Sequence, residues 1–115
     1  MKIIVAGSRS FTDKNIVFDV INKSDFKITE LVSGGAQGVD SFAEEWAKSR
    51  EIPIKRFLPH YSVDNAKFAP LLRNIDMANY ADGLIAIWKD KSKGTEHMIN
   101  CMSKLRKPIE ISEIL

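Results

Sequence analysis

The residues best suited to chemistry follow the second apolar run of the chain, where Ser33-Gly34-Gly35-Ala36-Gln37-Gly38 leads into a helical pattern. Glycines let the backbone adopt positive φ and approach a ligand without an intervening Cβ. The N-terminus of the following helix offers unpaired N–H groups and a partial positive charge, which suit a phosphate. A tight turn that serves geometry alone is the alternative. Because the glycines at 34, 35 and 38 crowd one short segment, we favour phosphate binding.

The spacing of these glycines matches neither the G-x-G-x-x-G dinucleotide motif nor the P-loop, so neither class follows from it. Further small and polar residues stand at comparable places, after an apolar run or at the start of a predicted helix. Together with the glycine-rich turn they complete the set of candidate ligand contacts, which adds Gly7, Ser8, Arg9, Ser10, Asp40, Arg73, Asn74, Gly94 and Thr95.

Several of these residues allow both a ligand role and a plain one. Arg9 either contacts an anion or lies in a solvated loop. Arg73 either contacts the ligand or runs its stem along an apolar surface. Asp40 either stabilises the first helical turn through the helix dipole or contacts the ligand. Gly94 and Thr95 either form a second anion-binding helix terminus or only cap their helix.

Composition narrows the function classes. The chain has 115 residues, 44% hydrophobic and 28% charged, which predicts one folded domain over residues 1–115. A net charge of +2, with scattered Lys and Arg, does not favour a nucleic-acid partner.

The chain is poor in residues that bind metals. One cysteine, Cys101, excludes an intrachain disulfide, and with His60 and His97 as the only histidines we expect no metal and no cofactor. The lack of a signal peptide or a long apolar run predicts a cytoplasmic protein without membrane contact.

Apolar runs and helical periodicities alternate along the chain. We predict strands over residues 3–6, 28–32, 52–58, 84–88 and 108–111. We predict helices after a cap at Thr12 or Asp13, over 39–47, from Pro70 and over 94–105. This order indicates a Rossmann-like, doubly wound α/β fold: a parallel five-stranded sheet with helices on both faces and the first strand central. Ligands of such sheets bind outside the carboxyl ends of the strands, which here means residues 7–11, 33–40, 58–72 and 89–96.

Four segments carry a resemblance to a known family: Ala6-Gly7-Ser8-Arg9-Ser10, Ser33 through Asp40, Arg73-Asn74-Ile75-Asp76-Met77 and Gly94-Thr95. They resemble the YspA-like branch of the SLOG superfamily, and the likeness runs over essentially the whole chain. DNA-processing protein A has a similar Gly-Ser-Arg loop and glycine turn, and the Lonely Guy phosphoribohydrolases share a glycine-rich phosphate turn, a helix arginine and a late Gly-Thr.

The resemblance implies a nucleotide-derived ligand, such as one of ADP-ribose type, and a homodimer. Lonely Guy hydrolases carry a glutamate in a Gly-Thr-x-x-Glu pattern, and that position is Met98 here. Glu96 is two residues out of register and turned around the helix.

Three functions remain open, and we favour a binding module that senses or sequesters the ligand. An N-glycosidic hydrolase would use Asp40 or Glu96 as its carboxylate. A single-stranded DNA binder would need a basic groove with aromatic platforms.

Overall fold

The computed structural model describes residues 1–60, 68–89 and 92–114. Most of the polar connection predicted over residues 59–67, and residues 90 and 91 of the predicted ligand edge, lie outside the described part of the chain.

Strands and helices alternate as the periodicity predicts. The strands are β1 (Lys2–Gly7), β2 (Glu30–Ser33), β3 (Ile54–Arg56), β4 (Gly83–Lys89) and β5 (Ile109–Ile114). The helices are α1 (Lys14–Asn22), α2 (Val39–Ser49), α3 (Ala69–Tyr80) and α4 (Lys93–Lys104). Within the described residues, no helix is long and apolar enough to cross a membrane.

All five strands pair in parallel in the order β3-β2-β1-β4-β5. The predicted doubly wound sheet and its central first strand are therefore confirmed. Strand order reverses between β1 and β4, since the chain runs outward from β1 to β3 and then crosses back. Gly7 pairs with Ile87 across this reversal, so the loops that follow the two strands lie side by side. This is the crevice at which open parallel sheets bind ligands.

The two faces of the sheet bury separate cores because successive residues of a strand point to opposite sides. Ile3 and Val5 of β1 face one core, which includes buried residues of α1 and α2 such as Val17 and Trp46. Ile4 faces the other core, formed with α3 and α4 by residues that include Met77, Ala78, Met98 and Met102. Helices thus cover both faces, as predicted.

Specific residues explain the starts of α1 and α3 and the end of α3. Asp13 caps α1 by accepting hydrogen bonds from the backbone N–H groups of Asn15 and Ile16. Pro70 lies in the first turn of α3, where its missing N–H costs nothing. At the other end of α3, the Lys107 ammonium donates to the carbonyls of Ala78, Asn79 and Ala81, at 2.7, 3.2 and 2.7 Å. A residue outside the helix therefore satisfies its terminal carbonyls.

The strand bounds differ most from the predictions at the edges of the sheet. β3 covers only Ile54–Arg56 rather than residues 52–58. An edge strand can extend only as far as its single neighbour offers pairing partners, and that neighbour, β2, is only four residues long. β5 runs on to Ile114 because the long strand β4 offers it a pairing partner as far as Lys89. The alternating polar residues of β5 concealed this extension from a search for continuous apolar runs.

Candidate ligand-binding cleft

A cleft of about 360 Å³ opens at the strand reversal. Its wall comes from the loops after β1 and β2, the inner side of α3 and the first turn of α4. Most of the candidate ligand residues line it, namely Gly7, Ser8, Arg9, Ser10, Gly34, Ala36, Asp40, Arg73, Asn74, Gly94 and Thr95. Residues 80 or more positions apart in the chain are therefore brought to one site, at the edge that the topology rule predicts.

The remaining candidates lie beside the cleft rather than on its wall. Ser33 is fully buried beneath the turn. Gly35 is exposed on the far side of the turn, where a Cβ would stand 2.6 Å from the Leu58 side chain. Gln37 is exposed and does not line the cleft. Gly38 has φ of +72° and packs against the backbone carbonyls of Ser8 and Arg9, so it holds the first loop close to the start of α2.

Several backbone N–H groups of the glycine-rich turn are used inside the protein. Gly35 donates to the Ser33 hydroxyl at 3.1 Å, and Ala36 donates to the Asp40 carboxylate at 3.2 Å. At the start of α2, Val39 donates to the Ser8 carbonyl at 3.3 Å. These bonds fix the shape of the turn. The N–H groups of Gly35, Ala36 and Val39 are therefore committed within the protein.

Arg73 is tied to the glycine-rich turn across the cleft. Its Nη1 donates to the Gly34 carbonyl at 2.7 Å, although the two residues are 39 positions apart. A Cβ on Gly34 would stand 2.6 Å from that Nη1 and 3.0 Å from the Asp40 carboxylate. Glycine at position 34 therefore lets Arg73 and Asp40 approach the same backbone segment.

Asp40 is a buried carboxyl group, 8% exposed, on the wall of the cleft. Burial raises its pKa to about 6, against the lowering effects of the Ala36 N–H bond and of the Arg73 and Arg9 charges, and the nearby Glu44 raises it further. The carboxyl group thus changes charge close to neutral pH. Its bond from Ala36 braces the turn before α2, a role different from the helix-dipole role considered from the sequence.

A second buried acid, Glu44, supports the turn from below. It accepts hydrogen bonds from the Ser33 hydroxyl at 2.7 Å and from Arg56 Nε at 2.9 Å. Burial alone would raise the pKa of Glu44, but the bonds from Arg56 and Ser33 outweigh it and the pKa is lowered. This role of Glu44 has no signature in the sequence, because a glutamate in the middle of an amphipathic helix is typical of a solvated face.

Asn74 links Arg73 to α4. Its Oδ1 accepts a hydrogen bond from Arg73 Nε at 3.0 Å, and its Nδ2 lies 3.1 Å from Nδ1 of His97. Because an arginine can only donate, the amide oxygen faces Arg73 and the amide nitrogen faces His97. His97 Nδ1 must then be an unprotonated acceptor. Burial lowers the pKa of His97, and the Lys104 charge lowers it further, which favours this neutral form.

The start of α4 closes the cleft. Thr95 is buried and accepts a hydrogen bond from the Ser92 hydroxyl at 2.7 Å. A Cβ on Gly94 would meet no atom within 4 Å, so nothing in the described protein requires a glycine there. Met98 lies on the cleft wall, whereas Glu96 is exposed and does not line it.

Sequence reasoning missed part of the wall. Ser92 precedes the Gly94–Thr95 pair, and that proximity was a usable signal. The others are apolar residues with no chemical signature: Ala6 lies on β1, and the rest lie on α3 and α4. The full set of missed residues is Ala6, Pro70, Leu71, Met77, Ser92 and Met98.

Comparison with known proteins agrees with this architecture. The model of the YspA, cpYpsA-related SLOG family matches residues 1–62, more than half of the chain. Gene 61 protein of Mycobacterium phage D29 is 30% identical over 115 residues, covering 92% of this chain and 89% of that protein.

Two solved structures share the fold. DNA processing protein A (DprA) from Streptococcus pneumoniae superposes with a TM-score of 0.76 at 19% identity, over 96% of this chain. This chain spans about half of DprA, 49% of its length. TM1055 superposes with a TM-score of 0.68 at 17% identity, over 94% of this chain and 71% of its own.

Proposed function

Because the chain belongs to the YspA, cpYpsA-related SLOG family, we propose that it binds a phosphate-bearing, nucleotide-derived ligand in the cleft between β1 and β4. The observation that carries the proposal is the meeting of Arg9, Arg73 and the start of α4 around one cavity. Guanidinium groups form strong charge-assisted hydrogen bonds to phosphate oxygens. A helix N-terminus adds N–H donors and a partial positive charge.

The polar groups around these arginines suit a phosphate ester better than a bare anion. Ser8 and Ser10 share a hydrogen bond at 2.9 Å at the cleft rim and can each redirect a hydroxyl to a ligand oxygen. Asp40 adds a carboxyl group that accepts hydrogen bonds when ionised. A ligand that carries both phosphate and hydroxyl groups, as a ribose phosphate does, would use both kinds of partner.

Gly94 gives independent support. A position in the first turn of α4 that could hold a Cβ without a clash is occupied by glycine. The open space that a Cβ would enter is next to the cleft. A ligand that approaches the backbone of α4 closely would account for this choice.

The same wall supports binding without efficient turnover. Met98, at the position where the resemblance places the glutamate of the Lonely Guy hydrolases, is 1% exposed and borders the cleft. An apolar thioether cannot stabilise the positive charge that develops on a sugar during glycosidic cleavage. Binding the ground state and the transition state equally well does not accelerate the reaction.

A second candidate function, N-glycosidic hydrolysis of a nucleotide, is favoured by one observation. Asp40 lies in the cleft with a pKa of about 6, close to the working pH that an acid–base catalyst requires. In this alternative Asp40 alone supplies the carboxylate, since Glu96 is outside the cleft.

Calorimetry with AMP, ADP-ribose and adenosine tests the binding proposal. We expect AMP or ADP-ribose to bind and adenosine, which lacks phosphate, to bind at least tenfold more weakly. Arg9→Ala should lower the affinity for the phosphate ligands. Arg50→Ala is the matched control, because it removes an equal charge from an exposed arginine at the other end of the sheet. Equal affinities for AMP and adenosine would contradict the proposal.

Two further measurements identify the ligand and separate the two functions. Mass spectrometry of small molecules released from heat-denatured protein should detect a phosphate-bearing nucleotide. Incubation with AMP, ADP-ribose and NAD, followed by chromatography for free base, should detect no release. Release at about 1 per second, abolished by Asp40→Asn, would establish the hydrolase instead.

A further inference from the structure

The cleft places one acid among the groups that suit a phosphate. Among the described residues that line it, three carry an ionisable side chain: Arg9, Arg73 and Asp40. Arg9 lies in the loop after β1, Arg73 on α3, and Asp40 in the first turn of α2. Two positive charges and one carboxyl group from three different elements therefore share one cavity.

The carboxyl group of Asp40 is fixed close to the guanidinium of Arg73. Asp40 is 8% exposed, and its Oδ2 accepts a hydrogen bond from the Ala36 N–H at 3.2 Å. A Cβ on Gly34 would stand 3.0 Å from the same Oδ2 and 2.6 Å from Arg73 Nη1. These distances place the two charged groups within about 6 Å of each other, the range in which charges influence protonation. A ligand phosphate that pairs with Arg73 therefore comes close to Asp40.

A phosphate and an ionised carboxylate at the same two arginines repel each other. A nearby like charge disfavours the ionised form of a buried acid. A protonated carboxyl group instead donates a hydrogen bond, for which a phosphate oxygen is an acceptor. Because the Ala36 N–H occupies Oδ2, the proton is accommodated at Oδ1. With Asp40 neutral, the charges of Arg9 and Arg73 balance the two negative charges of a diphosphate.

We propose that Asp40 takes up a proton from solvent when a phosphate-bearing ligand enters the cleft, so that ligand affinity decreases as the solution becomes more alkaline. The inference rests on the proposed function, because it requires an anionic ligand beside Asp40. The proton remains on the carboxyl group, and no bond of the ligand is broken.

The groups that face Asp40 make this exchange accessible near neutral pH. Burial and the neighbouring Glu44 favour the protonated form, whereas the Ala36 N–H and the charges of Arg73 and Arg9 favour the ionised form. The resulting pKa of about 6 applies to the protein without ligand. A phosphate adds a negative charge and engages the two arginines, so both effects raise the pKa of Asp40 further. Affinity is then greatest below about pH 6 and falls as pH rises above it.

Titration calorimetry of the full chain with ADP-ribose tests the proposal. Measurements in two buffers with different protonation enthalpies count the protons taken up. ADP-ribose is the preferred probe, because the phosphate of AMP itself titrates near pH 6. We expect uptake of about half a proton or more per ligand near pH 6.5, and affinity that falls roughly tenfold from pH 5 to pH 8 if binding raises the pKa by one unit.

Two variants isolate Asp40 as the source of the proton. Asp40→Asn keeps an oxygen for the Ala36 N–H but cannot titrate, so it should bind ADP-ribose without proton uptake and with an affinity that does not vary with pH. Glu96→Gln is the matched control, because Glu96 is an exposed carboxylate outside the cleft. It should retain the wild-type pH dependence. Circular dichroism should show that both variants are folded.

The outcomes separate this proposal from the proposed function. Wild-type binding without proton uptake, binding with proton release, or uptake that persists in Asp40→Asn would overturn the role of Asp40 and leave ligand binding established. If AMP binds and ADP-ribose does not, the same decision rests on the difference in proton uptake between wild type and Asp40→Asn. If neither ligand binds between pH 5 and pH 8, the proposed function fails and this inference fails with it.

Discussion

Asn74 donates a hydrogen bond to Nδ1 of His97 because its own oxygen is already committed to Arg73. This pair connects the arginine of the cleft to α4 and fixes the protonation of an imidazole that no sequence motif singles out. The proton of neutral His97 must reside on Nε2. The arrangement makes His97 a positioning residue for the cleft rather than a surface group.

Two substitutions at His97 should distinguish the stability contributed by its hydrogen-bond acceptor from that contributed by the rest of the imidazole ring. His97→Leu removes the acceptor from a buried amide and should cost about 1–3 kcal/mol of stability. His97→Asn keeps an oxygen close to the position of Nδ1 and should cost less. Nitrogen NMR of the wild type should show Nδ1 unprotonated at neutral pH. His60→Leu, at the exposed second histidine, is the control and should change stability little; equal losses for His97→Leu and His97→Asn would argue against the linkage.

Asp40 should weaken the fold as pH rises. Its pKa is about 6 in the folded chain against an ordinary value of 3.8, so the folded state holds the proton more tightly than the unfolded state. The stability that Asp40 contributes is thus fully present below about pH 4 and is lost as pH rises through about 6. Asp40→Asn should therefore be more stable than the wild type at pH 7, by on the order of 2–3 kcal/mol, and equal to it near pH 4.

Thermal unfolding from pH 4 to 8 checks this slope, with Glu45→Gln, an exposed carboxylate on the same helix, as the control. A difference between Asp40→Asn and wild type that does not vary with pH would exclude the buried carboxylate as its source.

The stability that Glu44 contributes changes with pH in the opposite direction to that of Asp40. Its lowered pKa means that the folded state favours the ionised form, so its contribution is present at neutral pH and is lost as pH falls through the folded pKa. Glu44→Gln should destabilise the protein at pH 7 by about 1–2 kcal/mol, a value reduced by the solvent around the half-exposed Arg56. Chemical denaturation at pH 7 measures the free energy of unfolding of Glu44→Gln and of the exposed control Glu45→Gln. Similar losses in both variants would contradict the contribution of the bonds from Ser33 and Arg56 to Glu44.

Glycines 34 and 94 should respond differently to the same methyl group. Gly34→Ala places a Cβ 2.6 Å from Arg73 Nη1, so Arg73 must move, and we expect a stability loss of about 1–3 kcal/mol together with weaker ligand binding. Gly94→Ala meets no atom and should leave stability unchanged or raise it by up to about 1 kcal/mol. Thermal unfolding of both variants decides this, and a destabilised Gly94→Ala would show that the space beside α4 is filled by the protein itself.

Lys107 should be a major contributor to stability despite its surface position. It satisfies three carbonyls at the end of α3, and hydrogen bonds from a charged donor contribute more than neutral ones. Lys107→Met should cost about 1.5–3 kcal/mol, measured by denaturant unfolding. The stability of Lys27→Met, at an exposed lysine, should stay within about 0.5 kcal/mol of the wild type. An equally small change for Lys107→Met would mean that water replaces the ammonium at the three carbonyls.

The order of the elements and the family were predictable from the sequence because both rest on local patterns. Continuous apolar runs such as Ile3–Ala6 identify strands buried on both faces, and the glycine-rich turn identifies the family; both predictions are confirmed. The edge strands were placed less accurately, since β3 and β5 depend on what their neighbours offer rather than on their own composition.

The site was predictable only where chemistry is visible in the residue type. Arg9 was predicted because it follows a strand, and Arg73 and Asn74 because they lie in the first turns of a helix; the structure places all three on the cleft wall. Leu71 and Met98 were not found as wall residues, because an apolar side chain at a cleft and one in a core look alike in sequence. The N–H groups of Gly35 and Ala36 donate to the side chains of Ser33 and Asp40 rather than into the cleft, and no spacing rule predicts these hydrogen bonds.

The empty space beside Gly94 makes the cleft accessible to chemical labelling. Gly94→Cys, in a protein whose single native thiol is replaced by Cys101→Ser, would offer one attachment point for an environment-sensitive fluorophore at the mouth of the cavity. A dye held there would report ligand entry as a change in emission. Candidate nucleotide-derived ligands could then be screened optically with this chain as the sensor.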